Sequence, residues 1–274
     1  MNTPNVSIFI RTYHGDAEWL RYCLRSIHLN LSGWSELVVC IPRGQEACIR
    51  PMITDERVVT CEPFDDDYIG QQVSKLQAHR YVSGDYVLFV DSDVVFRPGS
   101  SVKNFFSAGL PVIGKERYDE LSFPPARCWQ PVVEKLFGET PEWEYMRGTG
   151  VFLFRTDTLK AFAISFPEIE QYGRAQPYRS FSEYNFLGFF IDKTRATEYC
   201  LVDLNRQKLP PAEHLCFWSW DGITPEVFAQ LVAVGVADPL HPPDFKKRPL
   251  PPGSPKPFGP WKRFRYAIKS FFRG

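Results

Sequence analysis

No stretch of this 274-residue chain approaches the roughly 20 consecutive apolar residues that span a bilayer. Its opening, MNTPNVSIFIRTYHGD, has neither a basic leader nor a long apolar core, so the expectation is a protein made and kept in the cytoplasm. CxxC spacing is also missing: Cys23, Cys40, Cys48, Cys61, Cys128, Cys200 and Cys216 form an odd, scattered set. That speaks against a complete disulfide framework and a structural zinc knuckle, and it fits a reducing compartment. There is no internal repeat, and net charge is absent, with 32 Lys and Arg against 32 Asp and Glu. What is present is apolar surface. At 44% hydrophobic and 15% aromatic residues, a chain of this length can bury a sizeable core in one large domain or two small ones.

The zero net charge hides an uneven spread, because residues 239–274 carry nine Lys and Arg against Asp244 alone and leave the body acidic. Nine of the 22 residues in 239–260 are proline, which forbids a continuous helix or central strand and marks a linker. Residues 261–274, WKRFRYAIKSFFRG, set Trp261, Phe264, Ile268 and Phe271 on one helical arc and Lys262, Arg265, Lys269 and Arg273 on the other. A basic amphipathic helix of this kind lies in a membrane interface, where anionic lipid adds on the order of 1 kcal/mol per nearby cation. A partner groove or the acidic body of the same chain is the alternative berth. Nucleic acid is not expected, since the basic residues are confined to the tail.

Along the body, short apolar runs alternate with helical spacing. Val6–Ile10, Glu36–Ile41 and Arg57–Cys61 read as strands, Ala17–Leu29 and Gly70–Tyr81 as helices. Further on, Ser122–Pro131 reads as a loop, Val151–Arg155 as a strand with a helix after Thr156-Asp157, Ser182–Asp192 as a helix capped by Ser182, and Tyr199–Leu204 and Leu215–Trp220 as strands. Gly188 weakens the Ser182–Asp192 helix. Nearly all-apolar strands between helices require a mostly parallel sheet covered on both faces, and ligands bind such sheets beyond the carboxyl ends of the strands.

The stretch VLFVDSDVVF, Val87 to Phe96, sets Asp91 and Asp93 between apolar blocks. Two carboxylates at alternate positions face one side of the chain if it stays extended, and buried aspartates need partners. A divalent cation, Mn²⁺ or Mg²⁺, is the economical one, because hard oxygen ligands suit it and it bridges carboxylates to phosphates. A turn with solvated acids is the plainer reading.

The chain resembles the GT-A class of nucleotide-sugar-dependent glycosyltransferases over roughly residues 5–225. The resemblance rests on Asp91-Ser92-Asp93 as the Asp-any-Asp motif, and on Arg11-Thr12-Tyr13 with Asp16 after the first strand. It rests also on CLRSI ending the next helix, QxxxKL before GDYVLFVDSD, Arg147-Gly148-Thr149-Gly150 before VFLF, and Phe181-Ser182-Glu183-Tyr184. It implies an α/β fold with a Rossmann-like mixed, mostly parallel sheet. It also implies a catalytic domain over 1–238, its nucleotide half in about 1–100 and its acceptor half in about 101–238. The activity implied is metal-dependent transfer of a sugar from a nucleotide-sugar donor to a hydroxyl of a glycan or lipid-linked acceptor, of surface glycan or lipopolysaccharide type.

By the same resemblance Asp91 and Asp93 bind the metal, with His214 as a further ligand, and Thr12, Asp16, Lys75, Asp91, Ser92, Gly148 and Gly150 contact the donor. Glu183 is the base of an inverting transfer, or orients the acceptor if configuration is retained. Tyr184 and Trp218 meet the acceptor, aromatic faces suiting sugar rings. Each residue also has a structural alternative: turn and cap for Thr12 and Asp16, a solvated helix lysine for Lys75, helix-end stabilisation for Glu183, a packed histidine for His214 and core packing for the tryptophans. Two other functions compete. A haloacid-dehalogenase-type phosphatase would use Asp91 as nucleophile, but its motif follows the first strand of the domain. A sugar-binding protein on the same fold would do no chemistry. A nucleotidyltransferase would need a glycine-rich, lysine-containing loop after the first strand, which is missing.

Overall fold

The computed structural model describes residues 4–146, 150–177 and 180–245. The first half builds a parallel sheet from β1 (Val6–Arg11), α1 (Ala17–Asn30), β2 (Glu36–Pro42), β3 (Arg57–Cys61), α2 (Asp67–Leu76) and β4 (Tyr86–Val90), followed by β5 (Val94–Phe96) outside that sheet. The second half adds β6 (Leu110–Arg117), α3 (Gln130–Phe137), β7 (Phe152–Arg155), α4 (Thr156–Ser165), α5 (Ile169–Arg174), α6 (Glu183–Thr194), β8 (Cys200–Asp203), β9 (His214–Cys216) and α7 (Pro225–Ala233).

The central sheet runs β7-β4-β1-β2-β3. All its pairings are parallel except that of β7, which runs antiparallel along β4 with Phe152 opposite Phe89. Every residue of β1 is buried, as a strand covered on both faces demands. Its side chains alternate between two cores. Phe9, with Val38, Phe89 and Phe154, packs under Ile69 and Val73 of α2, Phe162 of α4 and Phe186 of α6. Ile8 and Ile10, with Val39, Leu88 and Val90, pack under Leu20, Leu24 and Ile27 of α1. A second sheet joins β6 to β8 in parallel and to Trp143–Glu144 in antiparallel fashion. The short ladder β5–β9 sets Cys216 opposite Val94 and His214 opposite Phe96.

Most expected elements appear within a residue or three of their expected ends, and the departures have local causes. The helix expected over 70–81 starts earlier, at Asp67, because Asp66 caps it by accepting from the Tyr68 amide at 3.0 Å. It ends at Leu76 and passes into a 3₁₀ turn over Ala78–Arg80. The expected loop at Ser122–Pro131 holds a 3₁₀ turn, Pro124–Trp129, and then enters α3, where proline is tolerated in the first turn. The strand expected to reach Trp220 stops at Cys216. The expected linker is described as far as Phe245; its remainder and the expected helix over 261–274 lie outside the described residues.

Gly188, which weakened the expectation of α6, is there for space. A Cβ on it would stand 2.1 Å from Cγ of Tyr145, whose ring lies against the helix and whose hydroxyl donates to Asp192 at 2.7 Å. Gly188→Ala should therefore lower stability by about 2 kcal/mol or more. Urea unfolding is the check, and a loss below about 0.5 kcal/mol would mean that the ring can move aside.

Candidate functional site

β4 delivers the Asp91-Ser92-Asp93 segment to the carboxyl edge of the central sheet, but the segment is not extended. The chain turns there, with the Val94 amide donating to the Asp91 carbonyl at 3.0 Å, and this corrects the expectation that Asp91 and Asp93 share one side of a strand. Each carboxylate has its own direction. Asp91 Oδ1 accepts from Lys75 Nζ at 2.6 Å, and Asp93 Oδ2 accepts from the Ser219 amide at 2.9 Å. The Asp93 carbonyl also accepts from the Phe217 amide at 3.0 Å, and the Phe217 ring packs at a tilt against Trp19 of α1 with ring centroids 5.3 Å apart. Thus Asp93 bends the chain after β9, which is why that strand is short.

Lys75 is the node of the site. It rises from α2 with 2% of its surface exposed, and Nζ meets Asp91, Glu183 Oε1 at 2.9 Å and the Tyr184 hydroxyl at 3.0 Å. An ammonium has three hydrogens to donate, and these three partners account for them. Lys75 is therefore not a solvated helix lysine, and with its three hydrogens taken by protein partners it has none left for a donor phosphate, which corrects its expected donor contact. Burial works against its charge, but Asp91 and Glu183 outweigh it and hold the pKa well above the usual lysine value. Glu183, first residue of α6 beyond the Ser182 cap, is pushed up by burial, with Lys75 pulling the other way. Tyr184 is buried, its ring stacked on Phe152 with centroids 4.0 Å apart. It supports the site from beneath and does not present a face to an acceptor. Asp91, with 37% of its side chain exposed, is the member of the four that opens outward.

Beside this node lies a concentration of negative charge. Asp93 is pushed up to about 8 by burial, then by Asp91 and Asp16, against the pull of the Ser219 amide. Asp16 makes no cap hydrogen bond to α1 and instead accepts from Ser92 Oγ at 3.3 Å, so it belongs to the site. Mutually repelling carboxylates suit a cation. Among the described residues no three His, Cys, Asp or Glu side chains gather into a complete metal cage. Two carboxylates with the remaining positions left to phosphate and water are what Mg²⁺ or Mn²⁺ takes beside a nucleotide, and Asp91 and Asp93 fit that role.

His214 does not join them. It stands opposite Phe96 on the β5–β9 ladder, buried, its ring 5.8 Å from that of Phe96 and 6.2 Å from that of Phe105, a packed setting that corrects its expected place as a metal ligand. Trp218, next to the Ser219 anchor, is 45% exposed and stands at the rim, whereas Trp129 is in the core. Gly150 has φ +71, and a Cβ there would meet Cys216 Sγ at 2.9 Å. Gly148 lies outside the described residues. Thr12 is buried; its amide donates to the Cys40 carbonyl at 3.0 Å, and its hydroxyl has no partner among the described residues.

Two site residues were not foreseen. Arg11, wholly buried at the end of β1, grips Asp67 with both guanidinium nitrogens and its own chain at the Thr12 carbonyl, tying the start of α2 to the sheet edge. A charge closing an apolar strand was the available signal. Ser219 acts through its backbone amide, which carries no sequence signal.

Lys75→Met would leave two carboxylates facing each other without their cation, so unfolding free energy should fall by about 3–5 kcal/mol near pH 8. The deficit should shrink as pH falls, because burial raises the Glu183 pKa and a proton there removes one of the two charges; a loss that does not change with pH would overturn the prediction. Asp93 has a folded pKa above its unfolded one, so the folded state loses stability as pH rises from about 4 through about 8. Asp93→Asn should therefore melt at the wild-type temperature near pH 4 and several degrees higher near pH 9.

No family model matches the chain, and no curated protein sequence matches it. Two solved structures of the galactosyltransferase LgtC are similar to it. The complex with donor and acceptor sugar analogues is 16% identical over 85% of this chain and 98% of that one, with a TM-score of 0.52. An active-site mutant is 14% identical over 83% and 95% of the two chains, with the same TM-score of 0.52. At such identity the likeness is one of architecture, and the chain has the GT-A fold of LgtC.

Proposed function

We propose that this chain is a metal-dependent glycosyltransferase. It moves a sugar from a nucleotide-sugar donor to a hydroxyl of a glycan or lipid-linked acceptor of surface glycan or lipopolysaccharide type. The observation that carries the reading is the group of Asp16, Asp91 and Asp93 at the carboxyl edge of a GT-A sheet, with Lys75 fixing Asp91 from beneath. The solved LgtC complex contains donor and acceptor sugar analogues. A bound Mn²⁺ or Mg²⁺, held by Asp91, Asp93 and the donor's phosphates, would neutralise the charge on the departing diphosphate. Lys75 keeps Asp91 aimed; Ser219 does the aiming for Asp93.

Glu183 enters as the base of an inverting transfer, and the upward push of burial on its pKa favours proton uptake. Its burial and its bond to Lys75 favour a second role, holding the ammonium against Asp91. Glu183→Gln separates the two: a base gives a kcat loss of about 10²-fold or more with donor affinity unchanged, whereas a holding role weakens Mn²⁺-dependent donor binding as well. We place the protein at the cytoplasmic face of a membrane, with residues 261–274 on anionic lipid. Deleting them should abolish binding to vesicles rich in phosphatidylglycerol and leave donor binding intact.

The donor class is read by thermal shift with UDP-, GDP- and CMP-sugars, with and without Mn²⁺. A shift that needs both sugar nucleotide and metal, and that Asp91→Asn and Asp93→Asn remove, is expected. An equal shift without metal would overturn the reading, and phosphate release from an aryl phosphate, lost in Asp91→Asn, would favour the phosphatase.

A further inference from the structure

A cleft of about 560 Å³ opens between residues 103–107 and the loop 207–213, away from the carboxylates. Its floor is the β6–β8 sheet at Val112, Gly114 and Val202, and its inner wall is Phe96, Phe152 and His214. The volume is that of a site for a medium-sized ligand. Two features tie it to the site above. The β5–β9 ladder has one end beside Asp93 and the other at the Phe96–His214 pair, three residues along, or about 10 Å of extended chain. Phe152 also shows one side to the cleft while stacking on Tyr184, the Lys75 partner. The cleft therefore borders the candidate active site while containing none of its charged residues.

The chemistry of the lining selects the ligand. Inside are flat apolar faces: Phe105 lies 26° from the plane of His214, and Phe106 stands beside it. Around the mouth are Lys103, Asn104, Gln207, Lys208 and Glu213, all exposed, whose side chains form no hydrogen bond or ion pair with the described residues. Rings below and a mixed rim of amides, ammoniums and a carboxylate match a molecule with C–H faces and an edge of hydroxyls. An acyl chain would leave that rim without use, and a polyanion would meet Glu213. We propose that the cleft is a glycan-binding subsite, holding an oligosaccharide by sugar units set back from the one that reaches the carboxylates. The assignment of that glycan as acceptor rests on the transferase reading; the subsite itself does not.

The test is binding of the full chain to an array of neutral and acidic oligosaccharides of one to six units, followed by interferometry on the strongest binder. Affinity should rise with chain length beyond the disaccharide. Gln207→Ala with Lys208→Ala, both on an exposed loop, should weaken binding at least tenfold, and Phe105→Ser should do so more strongly. Asp91→Asn with Asp93→Asn should leave glycan binding unchanged, while the loop variant leaves the Mn²⁺-dependent donor shift unchanged. Wild-type protein that binds no oligosaccharide at millimolar concentration, or glycan binding untouched by both cleft variants, overturns the subsite. Loss of the donor shift with glycan binding intact would instead sink the transferase reading alone.

Discussion

A single ammonium buried among two carboxylates and a phenol sets the terms for the rest of this structure. Lys75 belongs to α2, Asp91 to the end of β4, and Glu183 and Tyr184 to the first turn of α6, so one cation fastens three elements drawn from both halves of the chain. Taking such ions out of water costs several kcal/mol each, and the mutual attraction offsets this only if the partners are held at hydrogen-bond distance. The packing around them supplies that constraint. Gly173 lets α5 close on α2, where a Cβ would meet Val73 at 2.7 Å. Gly188 lets Tyr145 close on α6. Phe152, Phe154 and Tyr184 stack in one aromatic column beneath the charges.

The same requirement explains which parts could be read from residues alone. VSIFI and ELVVCI became strands of the central sheet because a strand buried on both faces has to be apolar throughout, and that pattern is local; RVVTC, with Arg57 and Thr60 exposed, is the edge strand beside them. Ser182 capped α6 for an equally local reason. The helix α7, introduced by Thr224 as cap and Pro225 in its first turn, carried the same kind of signal and could have been found. The bend at Asp91-Ser92-Asp93 could not. It arises because one carboxylate is drawn to Lys75 and the other to an amide 126 residues further on, and no spacing in the sequence announces either. Lys75 shows the limit clearly: next to Val73 and Leu76 it reads equally as a snorkelling stem or a buried ion, until Glu183, 108 residues away, decides it. His214 was placed in the right part of the chain but on the wrong partners, since the rings of Phe96 and Phe105 claim it.

Charge at the sheet edge is divided between two depths. Below, the single charge of Lys75 is shared between Glu183 and Asp91 and offsets one of the two carboxylates. Above, Asp93 takes an amide and Asp16 a hydroxyl, and burial, followed by the charges of Asp91 and Asp16, raises the Asp93 pKa. A proton on Asp93 offsets that potential in the folded chain. A divalent ion held there, as the transferase reading requires, would have to displace that proton, and its affinity would then depend on pH.

Glu183 is the point at which structure and chemistry pull apart. A general base has to reach the acceptor hydroxyl and give up its proton again, whereas this carboxylate is almost closed off from solvent and bonded to an ammonium that keeps its own proton firmly. Both demands are met only if the acceptor brings its hydroxyl to the second carboxylate oxygen while Lys75 stays on the first. The ammonium would then limit how basic Glu183 becomes, while burial restores part of what that charge removes. The balance between those two opposing effects, more than the presence of a carboxylate at this position, decides whether Glu183 accepts a proton during transfer or serves only to keep Lys75 beneath Asp91.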